Sequence, residues 1–403
     1  MPYRFPIQTN GGSATTSDTY YPFAMTSYIS ATAVTTEADA QIQWYGTGTI
    51  RRFRVHVSAN SATGNTVFHI RINGANGNSV ITVGAGATGF FEDTTNTDTW
   101  ADGDLICFYA DRNAESTTIQ AISADAIASS GTVNKVGVYG TVSFATASAT
   151  RYFPFVGDIA DLNASELVRY SAPIDITGTA RNLGVYISSN ARTTNTTYTL
   201  RINGADGNST VTVGSGATGW FEDTTNTDSL TAGDVVNWKI TTSTGTGSIV
   251  TKSITCDITE SAGKQQLFAQ STNLSLLSGV TRYLSLTGQL ALTGGTTVNR
   301  VYMTAGGTAR NLRLYVSSNP ASSTTTINLY KNGSATAITI ALGAGVTGEV
   351  SDTTNTDTFA DGDYYLIEAI RGGGAGTIAF NYATLELDHD AEAGGTRRIF
   401  LIT

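Results

Sequence analysis

The chain is short of charge. Only 14% of its 403 residues are Asp, Glu, Lys or Arg, and lysine is scarce even among those. The balance is negative, a net of −9 with a pI near 4.8, and no basic run occurs. Neutralising phosphates needs clustered Lys and Arg, so nucleic acid is excluded as an electrostatic partner. The only cysteines, Cys107 and Cys256, do not fall at equivalent points of the internal repeat. They form no repeated bridge; buried free thiols are expected, and a single bridge between copies is the other pairing the count allows. Nothing approaches the roughly 18 consecutive apolar residues of a membrane span, and Met1–Pro6 lacks the apolar core of a secretion leader, so neither span nor leader is expected. His56, His69 and His389 have no counterparts in the other copies, and neither a Gly-x-Ser-x-Gly elbow nor a His-Glu-x-x-His run is present. Glu92 and Glu222 recur, but Ser351 stands at the third position, whereas a glycosidase pair needs two carboxylates across one cleft. Catalysis is therefore not expected.

What is present is a sentence said three times. Arg71-Ile72-Asn73-Gly74 followed by Gly89–Asp98 returns as Arg201-Ile202-Asn203-Gly204 with Gly219–Asp228, and more loosely as Lys331-Asn332-Gly333 with Gly348–Asp357. The offsets are 130 and 129 residues, and 23 of 30 positions are identical between 71–100 and 201–230. A solenoid unit is only about 20–50 residues long, so this period is that of a whole domain. Within each copy the apolar residues alternate: Phe53, Val55 and Val57; Leu183, Val185 and Ile187; Leu312, Leu314 and Val316. That period of two marks a half-buried strand. The next strand ends at Asn73-Gly74, Asn203-Gly204 or Asn332-Gly333, a strong hairpin signal. Sharp turns account for the pairs Gly84/Gly86, Gly214/Gly216 and Gly343/Gly345, since no amphipathic helix follows them as a dinucleotide site requires. Each unit then holds about eight short strands in about 130 residues, more than an immunoglobulin-type sandwich of about 100 needs. The fold class expected is all-β: three tandem antiparallel β-sandwich jelly rolls, either closed as a single-chain pseudo-trimer or set in a row. The repeat register puts an N-terminal extension at 1–9, units at 10–140, 141–262 and 263–390, and an apolar tail at 391–403.

Three groups of residues are candidate sites. Asp93, Asn96 and Asp98, with Asp223, Asn226 and Asp228 and with Asp352, Asn355 and Asp357, offer oxygens that could hold Ca²⁺; the same residues also form Asx turns, and the spacing is not that of an EF-hand. Phe90 and Trp220, on the loop that becomes Glu349 in the third copy, suit core filling, a sugar face or a partner pocket. The tail Arg397, Arg398, Ile399, Phe400, Leu401 and Ile402 lies outside every repeat and needs a partner sheet, on its own chain or on a neighbour.

The runs Arg310–Val316, Asn328–Gly333 and Asp361–Leu366 resemble the strand and turn grammar of the TNF/C1q-like jelly rolls, including those of phage virion proteins. The resemblance extends over all three units and is best in the third. It implies a trimer of jelly rolls that decorates a capsid or forms a fibre tip, with one departure, that here a single chain supplies all three lobes. The function expected is thus a non-enzymatic virion structural protein, a capsid decoration or head-fibre subunit of a bacteriophage. It would assemble in the host cytoplasm and attach to a capsid protein, or to itself, through its terminal segments. The alternative is a receptor- or glycan-binding module of a tail fibre or cell surface, with a polysaccharide depolymerase third.

Overall fold

The computed structural model describes residues 2–12, 18–23, 34–112, 116–128, 133–145, 147–159, 162–166, 171–259, 264–290, 292–296, 300–303, 306–389 and 399–400. They form strands almost throughout. The first stretch carries β1 (Pro2–Gly12), β2 (Thr19–Pro22), the one-turn helix α1 (Glu37–Ala40), β3 (Ile42–Gln43), β4 (Gly48–Asn60), β5 (Thr66–Ile72), β6 (Ala75–Val83), β7 (Gly89–Trp100), β8 (Leu105–Asp111) and β9 (Thr117–Ala128). The second carries β10 (Val133–Phe144), β11 (Thr150–Phe153), β12 (Gly157–Asp158), β13 (Ala172–Pro173), β14 (Gly178–Asn190), β15 (Thr196–Ile202), β16 (Ala205–Val213), β17 (Gly219–Leu230), β18 (Val235–Thr242) and β19 (Ile249–Thr259). The third carries β20 (Lys264–Leu276), β21 (Thr281–Leu284), β22 (Gly288–Gln289), β23 (Leu292–Thr293), β24 (Val301–Tyr302), β25 (Gly307–Ser318), β26 (Thr325–Lys331), β27 (Ser334–Leu342), β28 (Gly348–Asp352), β29 (Asp357–Phe359), β30 (Tyr364–Arg371) and β31 (Ile378–His389), followed by β32 (Ile399–Phe400). Among the described residues no helix is long and apolar enough to cross a membrane.

Each stretch folds as two facing sheets. In the second, one sheet runs β12-β10-β19-β14-β17 and the other β11-β18-β15-β16 with β13 at its side. The first and third repeat this order, and apart from the Asn-Gly hairpins the long strands cross from sheet to sheet in turn, as in a jelly roll. Alternation decides which side chains meet between the sheets: Phe53, Val55 and Val57 are fully buried while Arg54 and His56 stand on the outer face of the same strand. Each such buried side chain contributes about 1.5–3 kcal/mol, so the alternation in sequence carries the core. The two-residue hairpins form as predicted. Asn73 and Gly74 sit at φ 51° and 81°, and the other two Asn-Gly pairs follow them into the left-handed region, which Asn tolerates and Gly prefers. Both thiols are free and buried, and burial pushes both up.

The sheets divide the chain differently from the repeat register. β10 runs through Gly140 and pairs along its length with β19, so the predicted boundary at 140 falls inside a strand of the second sandwich. β1 likewise pairs with β9, which takes residues 2–12 into the first sandwich instead of a separate extension over 1–9. Sequence identity is concentrated between the hairpin and the Asp-Gly-Asp turn, and the opening strands diverge too far for register to mark where they begin.

The opening strands also take a common partner. On the free edge of β10 sits β12, and on that of β20 sits β22, each a two-residue parallel pairing. On β1 the same edge is taken by β32, with Tyr3 opposite Ile399 and Arg4 opposite Phe400. β32 lies against β1, β10 and β20 alike, so the first strands of all three sandwiches surround it.

Candidate functional site at the seams between sandwiches

Three seams join the sandwiches, and all use the same repeat positions. On one side is the outer face of β4, β14 or β25 with its sheet neighbour β7, β17 or β28. On the other is the segment after β3, β13 or β24, with the turn before β8, β18 or β30. The first sandwich meets the third, the second meets the first and the third meets the second, which closes a ring.

Chemistry differs at each seam. Where the second sandwich meets the first, Gly184 has no side chain, and Tyr45 enters the vacancy: its Oη lies 3.4 Å from where a Cβ on Gly184 would stand, beside the Trp220 ring at 3.3 Å. Lys135 reaches over the Tyr45 ring at 4.5 Å while its ammonium pairs with Asp257 at 3.1 Å, both side chains almost wholly buried. Burial and the facing Glu222 push the Tyr45 phenol up. Lys252 adds an ion pair to Asp39 at 2.9 Å.

Where the third meets the second, Arg313 takes the place of Gly184. Its guanidinium spans Asp175 and Glu349, each at 2.7 Å. Gln266 clamps the same point, accepting from the Asp175 backbone N–H at 2.7 Å and donating to the Pro173 carbonyl at 2.8 Å and the Asp175 carboxylate at 3.0 Å. Burial raises the Asp175 carboxyl to about 6, Arg313 opposing and Glu386 and Glu349 adding to the rise.

Where the first meets the third, position 304, in register with Tyr45 and Asp175, lies outside the described residues, and the described side chains bridge the seam on one side and leave a cavity on the other. Arg52 and Arg54 both reach Glu92 at 2.9 Å and cross the seam to Asp361 at 2.8 and 3.3 Å. Burial alone would raise the Glu92 carboxyl; Arg54 and Arg52 hold it below the ordinary range. His56 stacks on Phe90, centroids 4.2 Å apart and planes within 7°, and Tyr302 meets Phe90 edge-on at 4.5 Å. These three rings, with Arg54, Glu92, Ser123, Met303 and Gly362, line a cavity of about 210 Å³. Phe90 is 56% exposed, unlike Trp220 at the equivalent position, which is packed against the core.

The other sequence candidates fall elsewhere. The Asp93 carboxylate is buried and accepts from the N–H groups of Thr95, Asn96 and Val80 and from the Asn96 side chain, at 2.9–3.0 Å. Asp223 and Asp352 repeat this set with Asn226 and Asn355. Asp98 and Asp228 each accept two backbone N–H groups of the neighbouring strand. Asp357 instead takes the Tyr365 hydroxyl and Lys331. These oxygens latch β7 to β6, and β17 to β16, by Asx turns; they do not converge on a cation position. Among the described residues no cluster of three or more His, Cys, Asp or Glu is placed to hold a metal ion. Of the tail, Ile399 and Phe400 are placed as β32, while Arg397, Arg398, Leu401 and Ile402 lie outside the described residues.

The sequence pattern pointed to Phe90 and Trp220 but not to Tyr302 and Tyr45, which face them, nor to Asp175, which faces Arg313 beside Glu349. One signal was available: amid near-identical neighbours, the positions 54, 184 and 313 read Arg, Gly and Arg, and 45 and 175 read Tyr and Asp.

No protein-family model matches the chain, and no curated protein does. Two solved structures match weakly. One, described as the triple jelly roll fold and turret assembly in an archaeal virus, shares 13% identity over 98% of this chain and 92% of its own, with a TM-score of 0.17. The other, from Sulfolobus Turreted Icosahedral Virus, shares 12% identity over 85% and 79%, with a TM-score of 0.18.

Proposed function

We propose that this chain is a structural component of a virion, a capsid decoration or head-fibre subunit of the TNF/C1q-like jelly-roll kind, acting by shape and strand addition without chemistry of its own. The observation that carries the reading is the closed ring. Three sandwiches of one chain are held by three mutually different seams around β32, a design that fixes geometry and leaves the hairpin turns of all three units facing outward as a repeated surface. Attachment to a capsid protein, or to another copy, would run through the terminal segments; β32 is already paired with β1 of its own chain, so an added strand would take the place of that pairing.

Immunogold labelling of purified particles from a culture that produces the protein tests this. Label at regular positions on particle heads is the expected result, lost when 397–403 are deleted. Label confined to the particle-free fraction would sink the virion role. Unchanged labelling after the deletion would sink attachment through the tail alone.

A further inference from the structure

Independently of any role in a virion, the seam between the first and third sandwiches has the features of a ligand site. We propose that it binds a single pyranose ring bearing an acidic substituent, with the ring's C–H face on Phe90 and its anionic group toward Arg54.

Contrast among the three seams locates the site. At equivalent positions Tyr45 fills the slot in one seam and the Arg313–Asp175–Glu349 ion pairs bridge it in another. At the third, where the corresponding position 304 lies outside the described residues, the mutually packed His56, Phe90 and Tyr302 make one side of a cavity of about 210 Å³. That volume suits one ring, below the roughly 300 Å³ at which pockets for larger ligands begin. Phe90 is 56% exposed, and ordering it costs little because an aromatic side chain freezes only two torsions on contact. One face of its ring is covered by His56, which burial and the nearby Arg300 keep below its ordinary pKa, so that it stacks as a neutral ring.

Charge selects among ring ligands. Arg52, Arg54 and Arg300 stand near the cavity against Glu92 and Asp361, an excess of guanidinium over carboxylate. An aromatic enclosure of this kind would otherwise suit a quaternary ammonium, but the excess positive charge disfavours a cation and favours an anion. Arg54 lines the cavity with its Nε on Glu92 and both terminal nitrogens 3.3 Å from one Asp361 oxygen, so a ligand carboxylate would take the guanidinium fork in place of Asp361. Glu92 and Ser123, also in the lining, supply an acceptor and a hydroxyl for ring hydroxyls.

The test uses the full chain and four probes: methyl glucuronide, the methyl glycoside of N-acetylneuraminic acid, methyl glucoside and choline, followed by saturation-transfer NMR and calorimetry. At least one acidic glycoside should bind at millimolar concentration or better and more tightly than both methyl glucoside and choline. Phe90→Ala, at an exposed position the fold tolerates, should weaken that binding about tenfold, and Arg54→Gln should reduce it toward the neutral glucoside. Trp220→Phe, at the filled seam, should leave it unchanged. Binding of neither acidic glycoside, binding indifferent to Phe90→Ala, or equal or tighter binding of methyl glucoside or choline would overturn the proposal.

Discussion

Single residues in this protein are repeated in position and reassigned in role. Asp352 shows the shared part. Burial alone would raise its carboxyl, yet donors from Asn355, Thr339 and Thr354 hold it at about 2, below the ordinary 3.8. Because the folded value is depressed, the stabilisation is fully present above about pH 4 and is lost as pH falls through about 2; by linkage it amounts to about 2–3 kcal/mol. An Asp352→Ala variant should therefore be less stable at neutral pH and converge with the parent near pH 2, as followed by urea unfolding at several pH values. Lys135 shows the reassigned part. Its pair with Asp257 is buried, and Asn182 satisfies the other Asp257 oxygen at 2.7 Å. Lys135→Met would leave the carboxylate without its counter-charge, and the expected loss is about 3–5 kcal/mol by chemical denaturation. A loss under 1 kcal/mol would show that water reaches Asp257.

At the scale of elements, the hairpin β15–β16 and its latch on β17 explain why the third copy drifted. Gly207 lies against the Asp228 carboxylate, and a Cβ there would come within 2.8 Å of Oδ1. In the third sandwich Thr336 occupies that position, its hydroxyl takes the Ile338 N–H at 3.2 Å, and Asp357 is released to Tyr365 and Lys331. The long strand β17 accordingly becomes the separate β28 and β29. Gly207→Ala should destabilise by about 1–3 kcal/mol through overpacking; Thr336→Gly, which loses one hydrogen bond, should cost about 1 kcal/mol. Thermal melts of the two variants in parallel would show the ordering, and a larger shift for Thr336→Gly than for Gly207→Ala would contradict it. Strands and hairpins were legible in the sequence because period-two alternation and Asn-Gly act locally. The bulge at Arg52 was not. Arg52, Asn182 and Asn311 all sit at φ of 51–54°, and the two Asn residues bond inward to Asp257 and Glu386 while Arg52 crosses to Asp361. Nothing in an arginine announces a left-handed backbone; only its two Asn counterparts hint at it.

For the whole molecule, what matters is that one chain makes three unequal joints. A ring of three identical chains would repeat one joint three times; here a phenol in a glycine vacancy, an ion-pair bridge and an aromatic-lined cavity alternate. Seam partners were illegible because they are set by which residues face each other only after all three sandwiches are in place. The joint at Asp175 also responds to pH. Its folded pKa of about 6 lies above the ordinary 3.8, so the folded state holds the proton more tightly, and stability falls as pH rises from about 4 to about 6. The decline should be roughly 2–3 kcal/mol, and Asp175→Asn should flatten it. Melting temperature against pH for both proteins checks this, and parallel curves would contradict it.

The cavity at Phe90 gives the ring a single mark on an otherwise threefold dial. A partner that grips only the shared hairpin turns can seat in any of three rotations. One that also engages the cavity can seat in one, so a symmetric-looking body acquires a fixed bearing on whatever surface it meets.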